Sequence, residues 1–164
     1  MKLKILAFPD KRLRVKAKEI TDFDEELKSL IENMYETMYK SNGVGLAATQ
    51  IDRHIRVFVA DTSENNDNPL CFVNPIIISK SGEKISEEGC LSVVGFNADV
   101  SRAKKVKVEA LDENGKKFEL EVEDELLAVC IQHEIDHLDG ILFVDYLSKL
   151  KQKRLLNKIK KDKL

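Results

Sequence analysis

The chain has 164 residues, of which 43% are hydrophobic and 34% are charged, and its net charge is −2 at pH 7. This length and apolar content predict one soluble globular domain with its own core. We find no signal-peptide segment and no apolar run of membrane-spanning length, so we expect a cytoplasmic protein that makes no membrane contact. Cys71, Cys90 and Cys130 are odd in number and widely spaced, which argues against a disulfide framework.

The charge is unevenly distributed along the chain. From Lys149 to Leu164 there are eight basic residues and one acidic residue, whereas the remainder carries 19 basic and 28 acidic residues. A basic tail on an acidic body indicates either a polyanionic partner or a solvated helix end.

The first predicted element is a helix that begins at Thr21 or Asp22 and ends near Lys40. Its apolar residues recur at helical spacing and predict one buried face. That face consists of Leu27, Leu30, Ile31, Met34, Tyr35 and Met38.

The stretch from Gly43 to Gln50 follows this helix and reads GVGLAATQ. Its small residues leave the backbone open to a ligand at close range. The lysine of a phosphate loop and the glycine spacing of a dinucleotide site are both missing. Gln50 on its own is interpreted as a surface amide.

Antiparallel strands are predicted in the middle of the chain. Two apolar strands run from Ile55 to Ala60 and from Cys71 to Ile78, the second broken by an edge position or a bulge at Asn74 and Pro75. The alternating segments 106–110 and 118–122 predict a hairpin around a turn at 112–115.

The segment 130–137 contains a His-Glu-x-x-His motif within a predicted buried helix, which Asp124 caps and which ends near Asp139. His133 and His137 lie on one helix face and can bind one metal ion together, while Glu134 can reach a water on that metal. The same face continues through apolar residues, which places the pair in the core. These residues are Leu126, Val129 and Cys130.

A catalytic site of the zinc type needs a third protein ligand. Cys90 follows a glycine in the sequence SEEGCLS and offers a thiolate. Cys130 is the rival, but three ligands from one helix face cannot surround a metal tetrahedrally. We therefore favour Cys90.

Ser148 is predicted to cap a last, lysine-rich helix, whose apolar contacts are Leu150, Leu155, Leu156 and Ile159. The complete pattern predicts an α+β fold, with antiparallel strands packed around a central buried metal-binding helix, an N-terminal helix and a C-terminal basic helix. We expect a single catalytic metallohydrolase domain over residues 1–147 and the basic helix over residues 148–164.

Three stretches together resemble the signature motifs of the peptide deformylase family, and length and element order agree along nearly the whole chain. The stretches are Gly43–Gln50, Glu88–Ser92 and His133–His137. The resemblance implies hydrolysis of a linear amide bond, which removes the formyl group from the N-terminal formylmethionine of nascent polypeptides and releases formate.

The resemblance also implies one divalent metal ion, which is typically ferrous iron in that family, with zinc or nickel as a replacement in purified protein. The implied ligands are Cys90, His133 and His137. In the implied mechanism Glu134 activates the metal-bound water. The metal, the Gln50 side chain and the Leu91 backbone N–H stabilise the oxyanion.

The implied substrate contacts are of two kinds. Gly45 and Gly89 hydrogen-bond the peptide backbone as if it were an added strand. The other substrate-binding residues, most of which line an apolar slot for methionine, are Gly43, Val44, Leu126, Val129 and Cys130.

Some positions depart from the family pattern. Val94 stands where a proline is frequent, and Asn97 stands where many bacterial members carry an arginine. Arg102 matches a family arginine that pairs with the residue numbered Glu88 here. The departures leave the chemistry intact and concern contacts with the distal part of the peptide.

Similar bacterial enzymes dock their C-terminal helix on the ribosome near the exit tunnel, so a ribosomal partner fits the basic tail, and a specific DNA partner is not implied. Two other functions stay open. A zinc endopeptidase also carries His-Glu-x-x-His, but it usually takes its third ligand from downstream, where only acidic residues are available. A non-enzymatic ribosome-binding module would rest on the basic tail and would not need Glu134.

Overall fold

Residues 1–162 are described by the structure, a computed structural model. Within this range the chain forms three α-helices and seven β-strands, which is the predicted α+β class. The helices are α1 (Glu25–Lys40), α2 (Leu126–Leu138) and α3 (Lys149–Asp162). The strands are β1 (Gly45–Ala47), β2 (Val57–Ala60), β3 (Leu70–Ser81), β4 (Lys84–Cys90), β5 (Val93–Arg102), β6 (Lys105–Leu111) and β7 (Lys117–Glu123). Short 3-10 helices span Lys11–Arg14, Ala48–Ile51 and Phe143–Tyr146.

The strands form two antiparallel sheets. Five strands follow the order β1-β2-β3-β6-β7, and β4 and β5 form a separate two-stranded sheet. The predicted hairpin is present as β6 and β7, with Val108 opposite Leu120. Because β1 is an outer strand of the larger sheet, one of its edges is free to pair with a further strand.

Helix α2 lies in the core between these elements. Ten of its thirteen residues are buried, and three of these ten are polar, namely Gln132, Glu134 and His137. It packs against β1 and β2, where Ile131 shares a cluster with Phe58 and Phe72, whose rings stack at 4.5 Å between centroids. Helix α2 is therefore buried against the large sheet, within the predicted α+β class.

Two further clusters complete the core. The predicted apolar stripe of α1 packs with Leu46 and Val59 of the large sheet. A third cluster joins β5 to the C-terminal part of the chain and contains Leu13, Phe143 and Leu155. The site described below lies where these clusters meet.

Helix α1 begins later than predicted. Thr21 and Asp22 lie in a segment without regular secondary structure, and Asp24 is the N-cap, its carboxylate accepting a hydrogen bond of 2.9 Å from the Leu27 N–H. The segment offers several residues that can cap a helix. Asp24 is the one placed directly before the acidic first turn of Glu25 and Glu26, which suits the positive end of the helix dipole.

The predicted cap of α2 is also wrong. Asp124 has a positive φ of 53° and its carboxylate contacts the Lys84 ammonium at 2.8 Å. The residue before the helix is Glu125, whose side chain makes no capping hydrogen bond. Asp124 therefore belongs to the turn after β7, which separates the strand from the helix.

The break at Asn74 and Pro75 is a bulge within β3, not the end of an edge strand. The register with β6 shifts between Val73 and Ile76, and β3 lies in the middle of the large sheet. Asn74 takes a positive φ of 49°, and its side-chain amide bonds both the N–H and the C=O of Ile20 at 2.8 Å. The bulge therefore anchors the N-terminal segment.

Helix α3 has the predicted cap, because the Lys151 N–H donates to the Ser148 hydroxyl at 3.2 Å. Leu155 is buried as expected, whereas Leu150 is 58% exposed and is not an apolar contact. Lys163 and Leu164 of the predicted tail lie outside the described residues, and the division of the chain at residue 147 stays a prediction. Within residues 1–162, the helices are too short or too polar to span a bilayer.

Replacing Asp24 by alanine is expected to lower the free energy of unfolding by about 1 kcal/mol, because the Leu27 N–H loses its acceptor. Thr21→Ala and Asp22→Ala are the matched controls, and we expect each to change stability by less than about 0.5 kcal/mol. Chemical denaturation of the three variants measures the difference. A loss at Asp22→Ala equal to that at Asp24→Ala would place the helix start where the sequence predicts it.

Candidate metal centre

A cysteine and two histidines from separate elements meet at the end of the small sheet. One ligand atom each from Cys90, His133 and His137 lies within 4.8 Å of the others. Cys90 is the last residue of β4, and the two histidines lie one turn apart on α2, with ring centroids separated by 4.9 Å. The structure thus brings together the three residues that the sequence singled out as metal ligands.

The orientation of the His133 ring is set by Glu88. His133 Nδ1 lies 2.9 Å from Glu88 Oε1, and an ionised carboxylate only accepts hydrogen bonds, so Nδ1 donates and Nε2 is the nitrogen left for a metal ion. Burial lowers the pKa of His133, but the contacts with Cys90 and Glu88 outweigh it and raise that pKa well above its ordinary value. Burial lowers the pKa of His137.

Glu88 is itself held by Arg102, as the family pattern suggested. The Arg102 Nε and Nη2 atoms donate to the two carboxylate oxygens of Glu88 at 2.7 and 2.8 Å. Both side chains are about 4% exposed, so this is a buried ion pair. Burial alone would raise the pKa of Glu88, but the hydrogen bonds from Arg102 outweigh it and lower that pKa.

Gln50 is not the surface amide that its sequence position suggested. It is 1% exposed, its Oε1 accepts the Ala47 N–H at 2.9 Å, and its Nε2 donates to the Ser92 hydroxyl at 3.0 Å. The same Nε2 lies 3.6 Å from Cys90 Sγ. The 3-10 helix that follows β1 turns the side chain inward, which no local pattern indicates.

Glu134 is buried beside the cluster. It is 3% exposed, and its Oε1 has no hydrogen-bond partner among the described residues. Burial raises the pKa of Glu134 to about 7. Gly45 makes room for it, because a Cβ at that position would lie 2.6 Å from Glu134 Oε2 and 2.7 Å from Cys130 Sγ.

Cys130 lies beside the cluster without being part of the ligand set. Its Sγ donates to the Val44 carbonyl at 3.7 Å. Burial raises the pKa of Cys130 well above its ordinary value, so the side chain stays a thiol, whereas a metal ligand must be a thiolate. The choice of Cys90 over Cys130 agrees with this geometry.

A cleft of about 510 Å³ opens onto the cluster. Its lining contains every site residue that the sequence predicted except His137, which is fully buried behind it. Leu126 was expected in the core but is 55% exposed, and Val44, expected only as a substrate-binding residue, is 43% exposed. Val94, one of the two residues that depart from the family pattern, lines the mouth of the cleft and is 86% exposed.

The sequence did not predict that three residues, Ser92, Asp136 and Tyr146, take part in the hydrogen-bond network of the site. Ser92 is 1% exposed and bonds Gln50, although only its place beside Leu91 in the motif marks it in the sequence. Asp136 and Tyr146 contact each other at 2.7 Å next to Arg102. Their separation in the chain hides this contact from any local pattern.

The donor set fits a divalent metal. A thiolate and two imidazoles suit iron or zinc and leave a fourth position open for water or substrate. Cys90 Sγ and His137 Nε2 lie 3.3 Å apart, whereas a sulfur and a nitrogen on one tetrahedral zinc are separated by about 3.5 Å. Glu134 lies beside these ligands, and its buried Oε1 has no hydrogen-bond partner in the part of the chain that the structure describes. This oxygen is therefore available to accept a proton.

Three protein ligands, an open position and a buried carboxylate define the class of metal-dependent hydrolase sites. A family model described as polypeptide deformylase matches residues 2–153. The chain is 55% identical over 159 residues to the peptide deformylase of Neisseria meningitidis, an alignment that covers 97% of this chain and 95% of that one. The chain belongs to the polypeptide deformylase family, and it is a hydrolase of that family.

Solved structures give the same result. The crystal structure of a peptide deformylase from Legionella pneumophila is 51% identical, with a TM-score of 0.95 and coverage of 99% of this chain and 96% of that one. The peptide deformylase of Ehrlichia chaffeensis in complex with actinonin is 38% identical, with a TM-score of 0.93 and coverage of 98% and 97%. The similarity in fold therefore extends over essentially the whole chain.

Replacing Cys90 by alanine is expected to abolish stoichiometric metal binding, because two imidazoles alone leave the cation without its thiolate. Cys71→Ala and Cys130→Ala remove the same sulfur atom elsewhere and should keep one metal per chain. Elemental analysis of protein purified without air measures the content. Full occupancy in Cys90→Ala together with loss in Cys130→Ala would reassign the third ligand.

The raised pKa of Glu134 predicts a pH-dependent stability of the metal-free protein. Because the folded pKa of about 7 lies above the ordinary 4.5, the folded state keeps a proton that the unfolded state releases. The stability of the parent relative to Glu134→Gln therefore falls as the pH rises from 4.5 to about 7, by about 3 kcal/mol in total, and is constant above. Denaturation of both chelator-treated proteins across this range measures it. A difference that does not change with pH contradicts the raised pKa.

Proposed function

We propose that the protein hydrolyses the formamide of N-formylmethionyl peptides and releases formate and a free amino terminus. The observation that carries the proposal is the position of Glu134, a buried carboxylate that lies beside the three-residue cluster and lines the cleft. Within residues 1–162, its Oε1 has no hydrogen-bond partner. Family membership gives the reaction class, and the cleft gives the place.

Cys90, His133 and His137 would hold one divalent cation, and ferrous iron is the metal that we propose for the cell. Such a cation supplies Lewis acidity, which polarises the formyl oxygen and lowers the pKa of water. Glu88 orients the His133 ring before metal binding, because its contact with Nδ1 leaves Nε2 as the nitrogen that can bind the cation.

Glu134 acts as general base and then as general acid. It takes a proton from the attacking water and later returns a proton to the amine that leaves. A pKa raised by burial suits both steps, because the group has to accept and release the proton near neutral pH. The Gly45 backbone lets the carboxylate approach the substrate without a Cβ between them.

The developing oxyanion needs donors that are in place before the reaction. Gln50 fits this role because its Oε1 is tied to the Ala47 N–H, which directs Nε2 towards Cys90. Leu91 follows Cys90 in the chain, so its backbone N–H lies at the same end of β4. We assign the two donors to these groups.

The cleft suits a peptide in extended conformation. On one side lie Gly45, the first residue of the outer strand β1, and the two residues before it, Gly43 and Val44; Gly89 of β4 also lines the cleft. A peptide between them would use backbone hydrogen bonds, which do not depend on its side chains. Its first residue would enter the apolar part of the cleft, which contains Leu126, Val129 and Cys130.

A ribosomal partner and a cytoplasmic location belong to the same proposal, since nascent chains are made there. Leu155 fastens α3 to the third core cluster, while most of its lysines are exposed. Exposed lysines on an anchored helix can contact RNA phosphates. This contact stays a prediction.

Formate release from a formyl-Met peptide tests the proposed activity. We expect turnover by the iron-loaded protein and a loss of about a thousandfold or more in kcat for Glu134→Gln, with the metal retained. Glu32→Gln, on the exposed side of α1, is the matched control and should keep the parent rate. An internal peptide with blocked ends is the second substrate.

Cleavage of the blocked internal peptide without formate release would identify an endopeptidase and reject the proposal. Unchanged formate release in Glu134→Gln would remove Glu134 from the mechanism. Absence of any hydrolysis in the fully metal-loaded parent would favour a binding module instead.

A further inference from the structure

A chain of polar contacts continues beyond the Glu88–Arg102 pair to Asp136, which lies about one turn from His133 on α2. Arg102 Nη1 donates to Asp136 Oδ2 at 2.6 Å, and the Tyr146 hydroxyl donates to the same oxygen at 2.7 Å. The guanidinium carbon of Arg102 also lies 5.0 Å from the centroid of the Tyr146 ring. Tyr146 therefore touches both charged groups, one with its hydroxyl and one with its ring.

We propose that Asp136 and Tyr146 are positioning residues for the metal ligand His133, acting through Arg102 and Glu88. The inference rests on the metal site of the proposed function. It adds two residues that lie outside the cleft and touch neither the cluster nor the path of the peptide.

The contacts form a closed ring. Asp136 and His133 are three residues apart on α2, and the path from one to the other runs through Arg102 at the end of β5 and Glu88 in β4. A guanidinium is planar, so its Nε and Nη2 bonds to Glu88 and its Nη1 bond to Asp136 fix its rotation together. Because Glu88 Oε1 contacts both Arg102 and His133, the guanidinium determines where the carboxylate meets the imidazole.

The charges of these residues favour the binding of a cation next to His133. Glu88 and Asp136 are acidic and Arg102 is basic, so the three groups together carry one net negative charge. Without Asp136, the charge of Arg102 would be fully compensated by Glu88. Less negative charge would then lie behind His133 to strengthen its bond to a metal ion. Carboxylates behind a histidine ligand strengthen its bond to the metal in this way.

Tyr146 closes the ring on its solvent side. The residue lies at the end of the 3-10 helix Phe143–Tyr146 and is 53% exposed, while the Arg102 side chain beneath it is 4% exposed. The tyrosine thus covers part of the Arg102–Asp136 contact, in which the Asp136 side chain is 18% exposed. Partial cover of this kind strengthens an ionic contact. Because Tyr146 is exposed, removal of its hydroxyl alone leaves the packing of the core unchanged.

Metal affinity, measured without any substrate, tests the inference. For Tyr146→Phe we expect the affinity for Zn²⁺ to fall about fivefold, which corresponds to one hydrogen bond of about 1 kcal/mol. For Asp136→Ala we expect a loss of about 10- to 100-fold, as for other groups that orient a metal ligand. Competition against a chromophoric chelator gives the affinities, and the absorption bands of the Co²⁺-loaded protein report the ligand geometry.

Tyr39→Phe is the matched control, because the Tyr39 hydroxyl donates to the Asp61 carboxylate at 2.6 Å in a pair that does not contact Arg102 or Glu88. We expect this variant to lose stability and to keep its Zn²⁺ affinity and its Co²⁺ spectrum. Tyr146→Phe and Asp136→Ala should shift both.

Unchanged affinity and spectra in Tyr146→Phe and Asp136→Ala, with a lower unfolding temperature, would overturn the inference and leave both residues a purely structural role. An equal loss of affinity in Tyr39→Phe would overturn it too. Since no formyl peptide is used, the outcome does not depend on whether the metal-loaded protein deformylates.

Discussion

The buried ion pair between Glu88 and Arg102 is the interaction on which the site depends. Taking either charge out of water alone would cost several kcal/mol, so each residue requires the other in place. Glu88 belongs to β4, Arg102 ends β5 and His133 belongs to α2, and their contacts hold the small sheet against the helix. Cys90 lies two residues beyond Glu88, so this same contact brings the thiolate to the imidazoles.

The site also concentrates groups that oppose stability. Glu134 is buried, and among residues 1–162 its Oε1 finds no hydrogen-bond partner. The carboxylate fits at this position because Gly45 has no side chain. Burial of an unpaired carboxyl is unfavourable, but it places the pKa of Glu134 at about 7, where proton exchange with water and an amine is efficient. The well-packed cluster that α2 forms with the large sheet compensates for this cost.

The parts of the molecule that the sequence predicted correctly are those set by local spacing. A helical period places His133 and His137 on one face, and alternating residues place the hairpin of β6 and β7. The burial of Gln50 could not be predicted, because it depends on how the turn after β1 meets Ser92. Strand β5 was missed for a similar reason, since its residues pair with β4 without a clear apolar alternation.

Recognition in the cleft has to be largely independent of sequence if the protein acts on many nascent chains. The geometry is compatible with this requirement, because the outer strand β1 and the end of β4 offer backbone groups beside the apolar part of the cleft. Asn97 lies against Gly89 and brings no charge to this side of the cleft, unlike the arginine frequent in the family. Val94 adds an exposed apolar surface at the mouth. Because the exposed Glu87 also lines the cleft, the distal part of a bound peptide would meet an apolar surface and a carboxylate.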